Sequence, residues 1–232
     1  MEIRILMPRY GTINERRHRL HEVVRLSGMN IIVDDEDFPL IIKVASLPGA
    51  RMQVYFLDNE EFFKRKFVFE NSSGKFYKDN SDRMVFFCKG VVETVKKFGW
   101  PPDVIHCHGW MTSLVPLYLK QAYASEPLFK DSKIIYSVYD NSEEKKLGNE
   151  FISKAQINNL SPDDLTHFSN GTGITLDNGG IKHADAIVRG SETLESTLDD
   201  LIKNADKPVL DYQEEESLLG AYIDFYKELV DN

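Results

Sequence analysis

Two histidines stand two apart in the run Asp-Val-Ile-His-Cys-His-Gly-Trp that ends at Trp110. In an extended segment His106 and His108 share one face, and paired imidazoles there can hold a hydroxyl, a phosphate or a metal ion. Gly109 permits a tight turn directly after them, and a helix opening behind Trp110 would offer backbone N–H groups to an anion. The Trp110 ring suits stacking on a sugar and equally suits packing between a helix and a sheet. A second apolar run, Lys133 to Val138, is followed by Tyr139, Asp140 and Asn141. Three readings are open to the histidine pair. It can face a ligand, which is preferred; it can be structural and hydrogen-bonded; or it can bind a metal, the poorest option because no third ligand is near in sequence.

The elements that must position these residues follow from hydrophobic period and turn chemistry. Asp103 to His108 and Lys133 to Val138 read as buried strands, and Ala184 to Val188 as a third. Between and after them lie helical segments: Trp110 to Ala124 with Pro116 inside it, Ser191 to Ala205 capped by Ser191, and an acidic amphipathic segment from Gln213 to Val230. Strand and helix alternating in this way imply an α/β fold, a Rossmann-like parallel sheet with helices on both faces. In such sheets ligands bind beyond the carboxyl ends of the strands, which is where both candidate clusters fall.

Ahead of this region Met1 to Pro8 reads as a strand, and VVRL, MNIIV, PLIIKVASL and MQVYFL as a β-meander. The spacing of Met84, Cys88, Val91, Val95 and Phe98 predicts a helix begun by Asn80 or Ser81 and stopped by Gly99. Asp140 to Gly180 is the least regular stretch, with a capped start at Ser161-Pro162, and is expected to be a surface excursion. Gly171-Thr172-Gly173 and Gly179-Gly180 read as turn chemistry rather than phosphate cradles. Two domains are expected: residues 1–204, and an acidic helical tail over 205–232.

The chain has 232 residues, 42% of them hydrophobic and 28% charged, enough to bury a core without disulfides or structural metal. Its net charge of −9 argues against non-specific nucleic-acid binding. The charge is unevenly placed: Arg9 to Arg25 holds five arginines, whereas ten carboxylates follow from Asp199 onward. Both segments read as solvated faces, with a head-to-tail self-contact as the alternative. Cys88 and Cys107 lack metal-type spacing and read as free thiols in a reducing compartment. No apolar run approaches membrane-spanning length and no signal-peptide core is present, so a cytoplasmic chain with no membrane or nucleic-acid partner is expected. There is no P-loop, no dinucleotide-binding glycine motif, no CxxC and no GxSxG elbow.

The stretch DVIHCHGWMTSLVPLYLKQAY strongly resembles the N-terminal catalytic domain of bacterial glycogen and starch synthases. MPRYG (Met7 to Gly11), YKDNSDRMVFFCKGVVETV (Tyr77 to Val95) and GIKHADAIVRGSET (Gly180 to Thr193) resemble further segments of that family, in the same order. The resemblance implies half of a two-domain GT-B architecture. It implies retaining glucosyl transfer from ADP-glucose or UDP-glucose to an α-1,4-glucan, with no metal or other cofactor. It also implies sugar contacts by His106, His108, Trp110, Tyr139 and Asp140, with catalytic residues unassigned.

The chain departs from the family pattern at several points. Gly109 stands where the family has Asp, and Tyr139-Asp140 where it has His-Asn. The family's Lys-x-Gly-Gly-Leu donor loop and its second domain have no counterpart in this sequence. Independent transfer is therefore not expected. As a synthase-type glucosyltransferase domain the chain would take its missing parts from a second chain completing the cleft or from an upstream start; a non-catalytic homologue that binds glucan or a partner protein is the alternative.

Overall fold

A computed structural model describes residues 2–50, 52–140, 147–148, 150–170 and 173–231, so Asn141, Gly171 and Thr172 lie outside the described residues. The chain divides into two compact units, Met1–Phe98 and Gly99–Asn232.

The first unit is built on a mixed sheet. β1 (Arg4–Pro8) leads through a one-turn helix α1 (Glu15–His18) to β2 (His21–Glu22), β3 (Met29–Val33), β4 (Glu36–Ser46) and β5 (Gln53–Asp58). β3, β4 and β5 form the expected antiparallel meander, but β1 pairs with β5 in parallel, giving the order β1-β5-β4-β2 with β3 also on β4. The β3–β4 turn puts Asp34 and Asp35 at φ 51° and 65°, the left-handed pair that matches strand twist in a two-residue hairpin. VVRL is a turn rather than a strand: Val23 N–H donates to the Ile42 carbonyl, Leu26 N–H returns to Val23, and Leu26 is buried while Val24 is exposed. Burying one residue of the four satisfies the core, so the β-propensity of the others does not decide the conformation.

A short helix α2 (Glu60–Phe63), capped by Asn59, and the long helix α3 (Asn80–Phe98) complete the unit. Asn80 and Ser81, expected at the cap, are both helical, and Gly99 leaves the helix at φ 64°. The deepest line of α3 runs through Met84, Val85, Cys88 and Val92, whereas Val91 and Val95 are half-buried. Gly90 lies close to Leu57 and Leu40 of the sheet.

MPRYG packs into this unit. Arg9 and Lys43 share Asp58 and Glu15 in a four-charge cluster at 2.8–3.2 Å. A Cβ on Gly11 would lie 2.1 Å from the Arg65 carbonyl oxygen.

The second unit is an all-parallel sheet of β6 (Val104–His108), β7 (Lys133–Val138), β8 (Ala186–Arg189) and β9 (Val209–Leu210), in sequence order. Between β6 and β7 the expected single helix breaks into a 3-10 turn (Trp110–Thr112), α4 (Leu114–Leu117) and a wide π turn (Tyr118–Ala122). Pro116 lacks the N–H that would join these pieces into one ladder.

The segment after β7 carries α5 (Phe151–Lys154), a 3-10 helix (Pro162–Phe168) with the Ser161–Asp164 capping box, and α6 (Leu176–His183). It is not only a surface excursion, because Phe151, Leu165, Phe168 and Leu176 are buried. Gly179 and Gly180 are not turn residues. Both lie inside α6, where a Cβ would meet the Phe168 ring at 2.3 Å and the Tyr136 ring at 2.7 Å. They are glycines because α6 presses against the 3-10 helix through Gly179 and against β7 through Gly180 with no room for a methyl group at either.

α7 (Ser196–Lys203) is capped by Glu195, four residues later than the Ser191 cap implied. α8 (Glu215–Asp231) lies on the opposite sheet face from α6. Strand alternation makes the two faces: Tyr136 points at α6, donating to Asp177 at 2.6 Å, and Ile135 packs with Ala186, Val188, Phe225 and Leu229 under α8. Phe225 and Leu229 each contribute on the order of 1.5–3 kcal/mol by this burial.

Candidate functional site

The last residues of β6 and β7 carry the candidate side chains, and the ladder pairs His106 with Ile135 and His108 with Ser137. Period-2 alternation puts His106 and His108 on the α8 face, where their rings stack with centroids 4.0 Å apart. Cys107 points to the other face; it is buried, and burial pushes its thiol up to about 12.

His106 is sealed on both sides. Its Nδ1 lies 2.6 Å from the Tyr226 hydroxyl of α8, and its Nε2 lies 2.7 Å from Ser137 Oγ. Tyr222 stacks against the same ring at 5.7 Å. Burial, reinforced by neighbouring His108, drives its pKa down to about 2, so the ring is neutral and uses both nitrogens inside the protein.

His108 is exposed at the strand end. Its Nδ1 is 2.8 Å from the Tyr139 hydroxyl, and Nε2 has no hydrogen-bond partner among the described residues. The surrounding protein desolvates the cation and lowers its pKa.

Tyr139 is wedged between two strand-end glycines. A Cβ on Gly109 would stand 3.7 Å from its ring, and one on Gly190, just after β8, only 2.4 Å away. Asp140 is exposed, and its backbone N–H donates to Ser191 Oγ at 3.1 Å. Ser191, expected as a helix cap, therefore ties the β8 end to the β7 end.

Trp110 stands apart from this group. It is 5% exposed, so its ring is packed in protein and a sugar could reach it only if it were uncovered. The N–H groups expected behind it belong to a single 3-10 turn, with Thr112 and Ser113 donating back to Gly109 and Trp110; no full helix N-terminus is formed there. Gly109 has φ 71° and ψ 175°, a conformation essentially closed to residues with a Cβ.

The structure thus brings together His106, His108, Tyr139 and Asp140. It adds Ser137, Gly190, Ser191, Tyr222 and Tyr226, which sequence reasoning missed. The strand-end rule was not applied to the third strand, where it leads to Gly190-Ser191; nothing local pointed at the α8 tyrosines, of which Tyr226 is 120 residues from His106.

Among the described residues no group of three or more His, Cys, Asp and Glu is placed to hold a metal, and no helix is long and apolar enough to cross a membrane. A separate concavity of about 640 Å³ lies beside β8, α7 and β9. Two of its cations are already engaged. Lys207 Nζ donates to the carbonyls of Ile181, Lys182 and Ala184, closing the end of α6, and Arg189 pairs with Asp199.

The profile of the starch synthase catalytic domain matches residues 1–200. This chain belongs to that family. Among curated relatives, glycogen synthase of Pelodictyon phaeoclathratiforme is 38% identical over 195 residues, covering 82% of this chain and 39% of the relative. Glycogen synthase of Chlorobium phaeobacteroides is 46% identical over 140 residues, covering 60% and 29%. The chain therefore spans about two fifths or less of the length of these relatives.

The catalytic domain of starch synthase IV from Arabidopsis thaliana, bound to ADP and acarbose, aligns with a TM-score of 0.71 at 19% identity, over 91% of this chain and 44% of that one. This likeness shows the fold, the α/β architecture of a GT-B starch synthase catalytic domain. Within the starch synthase catalytic domain family the present chain is a glycogen/starch synthase-like glycosyltransferase domain. The His106-Cys107-His108 run, on which the resemblance was read, is the stacked pair at the end of β6.

Proposed function

We propose that this chain is the sugar-facing part of a synthase-type glucosyltransferase. It engages an α-1,4-glucan at the edge formed by His108, Tyr139 and Asp140. The reaction it belongs to is transfer of glucose from ADP-glucose or UDP-glucose with retention, no cofactor being required beyond the sugar nucleotide. The observation that carries this reading is the convergence of three strand ends on one exposed edge: β6 through His108, β7 through Tyr139 and Asp140, and β8 through Ser191. That is where an open α/β sheet binds its ligands. The binding of ADP and acarbose by the starch synthase IV domain of the same fold supports it.

The chain does not transfer glucose unaided in this reading. A departing nucleotide needs fixed positive charge where negative charge develops, and such preorganised charge usually contributes more to catalysis than any other single effect. The groups on this edge are a neutral imidazole, a phenol and a carboxylate. A second protein chain supplying the cationic side of the cleft is the partner this implies.

The competing reading, a non-catalytic glucan- or partner-binding homologue, is favoured by Gly109, whose backbone excludes the family's Asp. Two assays on the folded chain decide. Co-sedimentation with glycogen is expected to succeed, and incorporation of labelled glucose from either donor into a glycogen primer is expected to fail. Failure to pellet would overturn the sugar-facing reading, and incorporation by the chain alone would overturn its dependence on a partner.

A further inference from the structure

α8 carries two apolar stripes, and the sheet covers only one of them. Phe225 and Leu229 are buried with Ile135, Ala186 and Val188, and Tyr222 and Tyr226 pack beside them. Leu219, Ile223 and Val230, four and seven residues apart, fall within about 40° of one another on the flank of that stripe. Leu219 is 70% exposed, Val230 is 45% exposed and Ile223 is half-buried. Glu215 and Glu216 stand one turn before Leu219, exposed and without an ion pair among the described residues.

The first unit presents the reverse arrangement. The turn at residues 23–26 buries Leu26 and throws Val24 outward, 78% exposed. Val24 and Leu219 are the two most exposed large apolar side chains among the described residues. Arg16 and Arg17 of α1, Arg19 directly after it and Arg25 beside Val24 are all exposed, and their side chains have no ion pair among the described residues. Glu22 is the one carboxylate from Arg16 to Arg25.

Single exposed apolar side chains are ordinary on a protein surface, and charge runs ordinarily sit in water. Here the two features coincide twice, with opposite sign. An apolar centre rimmed by unpaired arginines matches an apolar stripe headed by unpaired carboxylates, and complementary potentials of this kind steer association and fix its orientation. Both faces belong to one chain, so a second copy always brings the matching one. A same-face contact would set arginines on arginines or carboxylates on carboxylates, and like charges oppose it.

We propose that α8 of one copy docks on the segment 16–25 of a second copy, with Leu219 against Val24 and with Glu215 and Glu216 among the arginines. The contact is heterologous, so it adds copies until an assembly closes. It does not depend on the sugar-facing reading.

Sedimentation equilibrium of the full chain tests the contact. At about 50 mM NaCl the average mass is expected to rise with protein concentration, and at about 500 mM the association constant is expected to fall about tenfold, because exposed charge pairs are screened by salt. A chain still monomeric at about 0.2 mM in low salt, where even weak contacts populate, overturns the proposal. So does association that strengthens with salt.

Complementation fixes which faces meet. Leu219→Ser and Val24→Ser each remove an apolar centre from an exposed position, so neither disturbs the core. Each variant alone is expected to associate about tenfold more weakly than wild type. Mixed in equal amounts, they are expected to recover one contact of wild-type affinity per pair, because the intact α8 of Val24→Ser meets the intact segment of Leu219→Ser. Association without recovery on mixing would show a same-face contact and overturn the head-to-tail arrangement. The double variant Glu215→Gln, Glu216→Gln is expected to lose most of the salt dependence; an unchanged salt dependence would overturn the pairing of these carboxylates with the arginines.

Discussion

Tyr139 lies against Gly190 so closely that a Cβ on the glycine would stand 2.4 Å from the tyrosine Cε1. The ring is held from below by a bare backbone, and its hydroxyl is aimed from there at His108.

Gly190→Ala is therefore expected to push Tyr139 aside and break its bond to His108. Overpacking of this kind costs about 1–3 kcal/mol. Urea denaturation reads the loss, and the His108 ring signals read the displaced phenol; an alanine variant as stable as wild type with His108 unchanged would contradict the packing.

Gly109→Asp introduces the residue type that the family resemblance sets at this position, yet it is expected to be harmful. The backbone there has φ 71° and ψ 175°, and a residue with a Cβ held in that region is strained by about 1–3 kcal/mol. The variant should be destabilised by roughly that amount and should gain no glucosyl transfer. A stable variant would mean that the turn rearranges readily, and transfer activity would mean that the missing carboxylate alone disables the chain.

Stability should fall on acidification. Burial lowers His106 to about 2 and His183 to about 4. Below about pH 6.5, the ordinary histidine value, the unfolded chain takes up protons at both positions that the folded chain refuses. The stability contributed by each neutral ring is fully present above pH 6.5. It is lost as pH falls toward the folded-state values, at a slope of up to about 1.4 kcal/mol per pH unit per ring. Urea midpoints from pH 7.5 to 4.5 should show this, and His183→Gln should flatten the slope by up to one ring's share; an unchanged slope would argue that His183 protonates freely in the folded protein.

Arg83 of the first unit is fully buried. Nε donates to the Phe62 carbonyl at 2.8 Å, Nη1 donates to Asn80, and the rings of Tyr10, Phe63 and Tyr77 surround the guanidinium at 5.4–6.0 Å. Burial lowers its pKa. Arg83→Met leaves the Phe62 carbonyl and Asn80 without this donor in the interior, which costs about 1–3 kcal/mol. Arg83→Lys cannot reproduce the planar fork and is expected to be no better. Denaturation followed by aromatic fluorescence compares the three proteins, and equal stability of the lysine variant would show that charge alone suffices.

The sequence by itself determined β1 and β3 to β8, because apolar runs bounded by Gly, Pro and Asp admit few other conformations, but not the two-residue strands β2 and β9. It determined the parallel order from β6 to β8, because strand and helical segments alternate there and parallel neighbours need such crossovers. The strand-end rule found His108, Tyr139 and Asp140. The motif segments around His106 and Gly180 determined the family.

Tertiary structure decided the rest, for a common reason: the deciding partner lies far away along the chain. Gly179 and Gly180 look like turn residues until the rings of Phe168 and Tyr136 are placed over them. VVRL looks like a strand until one leucine is claimed by the core. His106 looks like a ligand-facing twin of His108, with the same residue type and the same face. It becomes an interior hydrogen-bonded ring only because an acidic helix more than a hundred residues later lays Tyr222 and Tyr226 across it. Period and composition report which face a side chain takes, whereas what covers that face is a long-range packing choice.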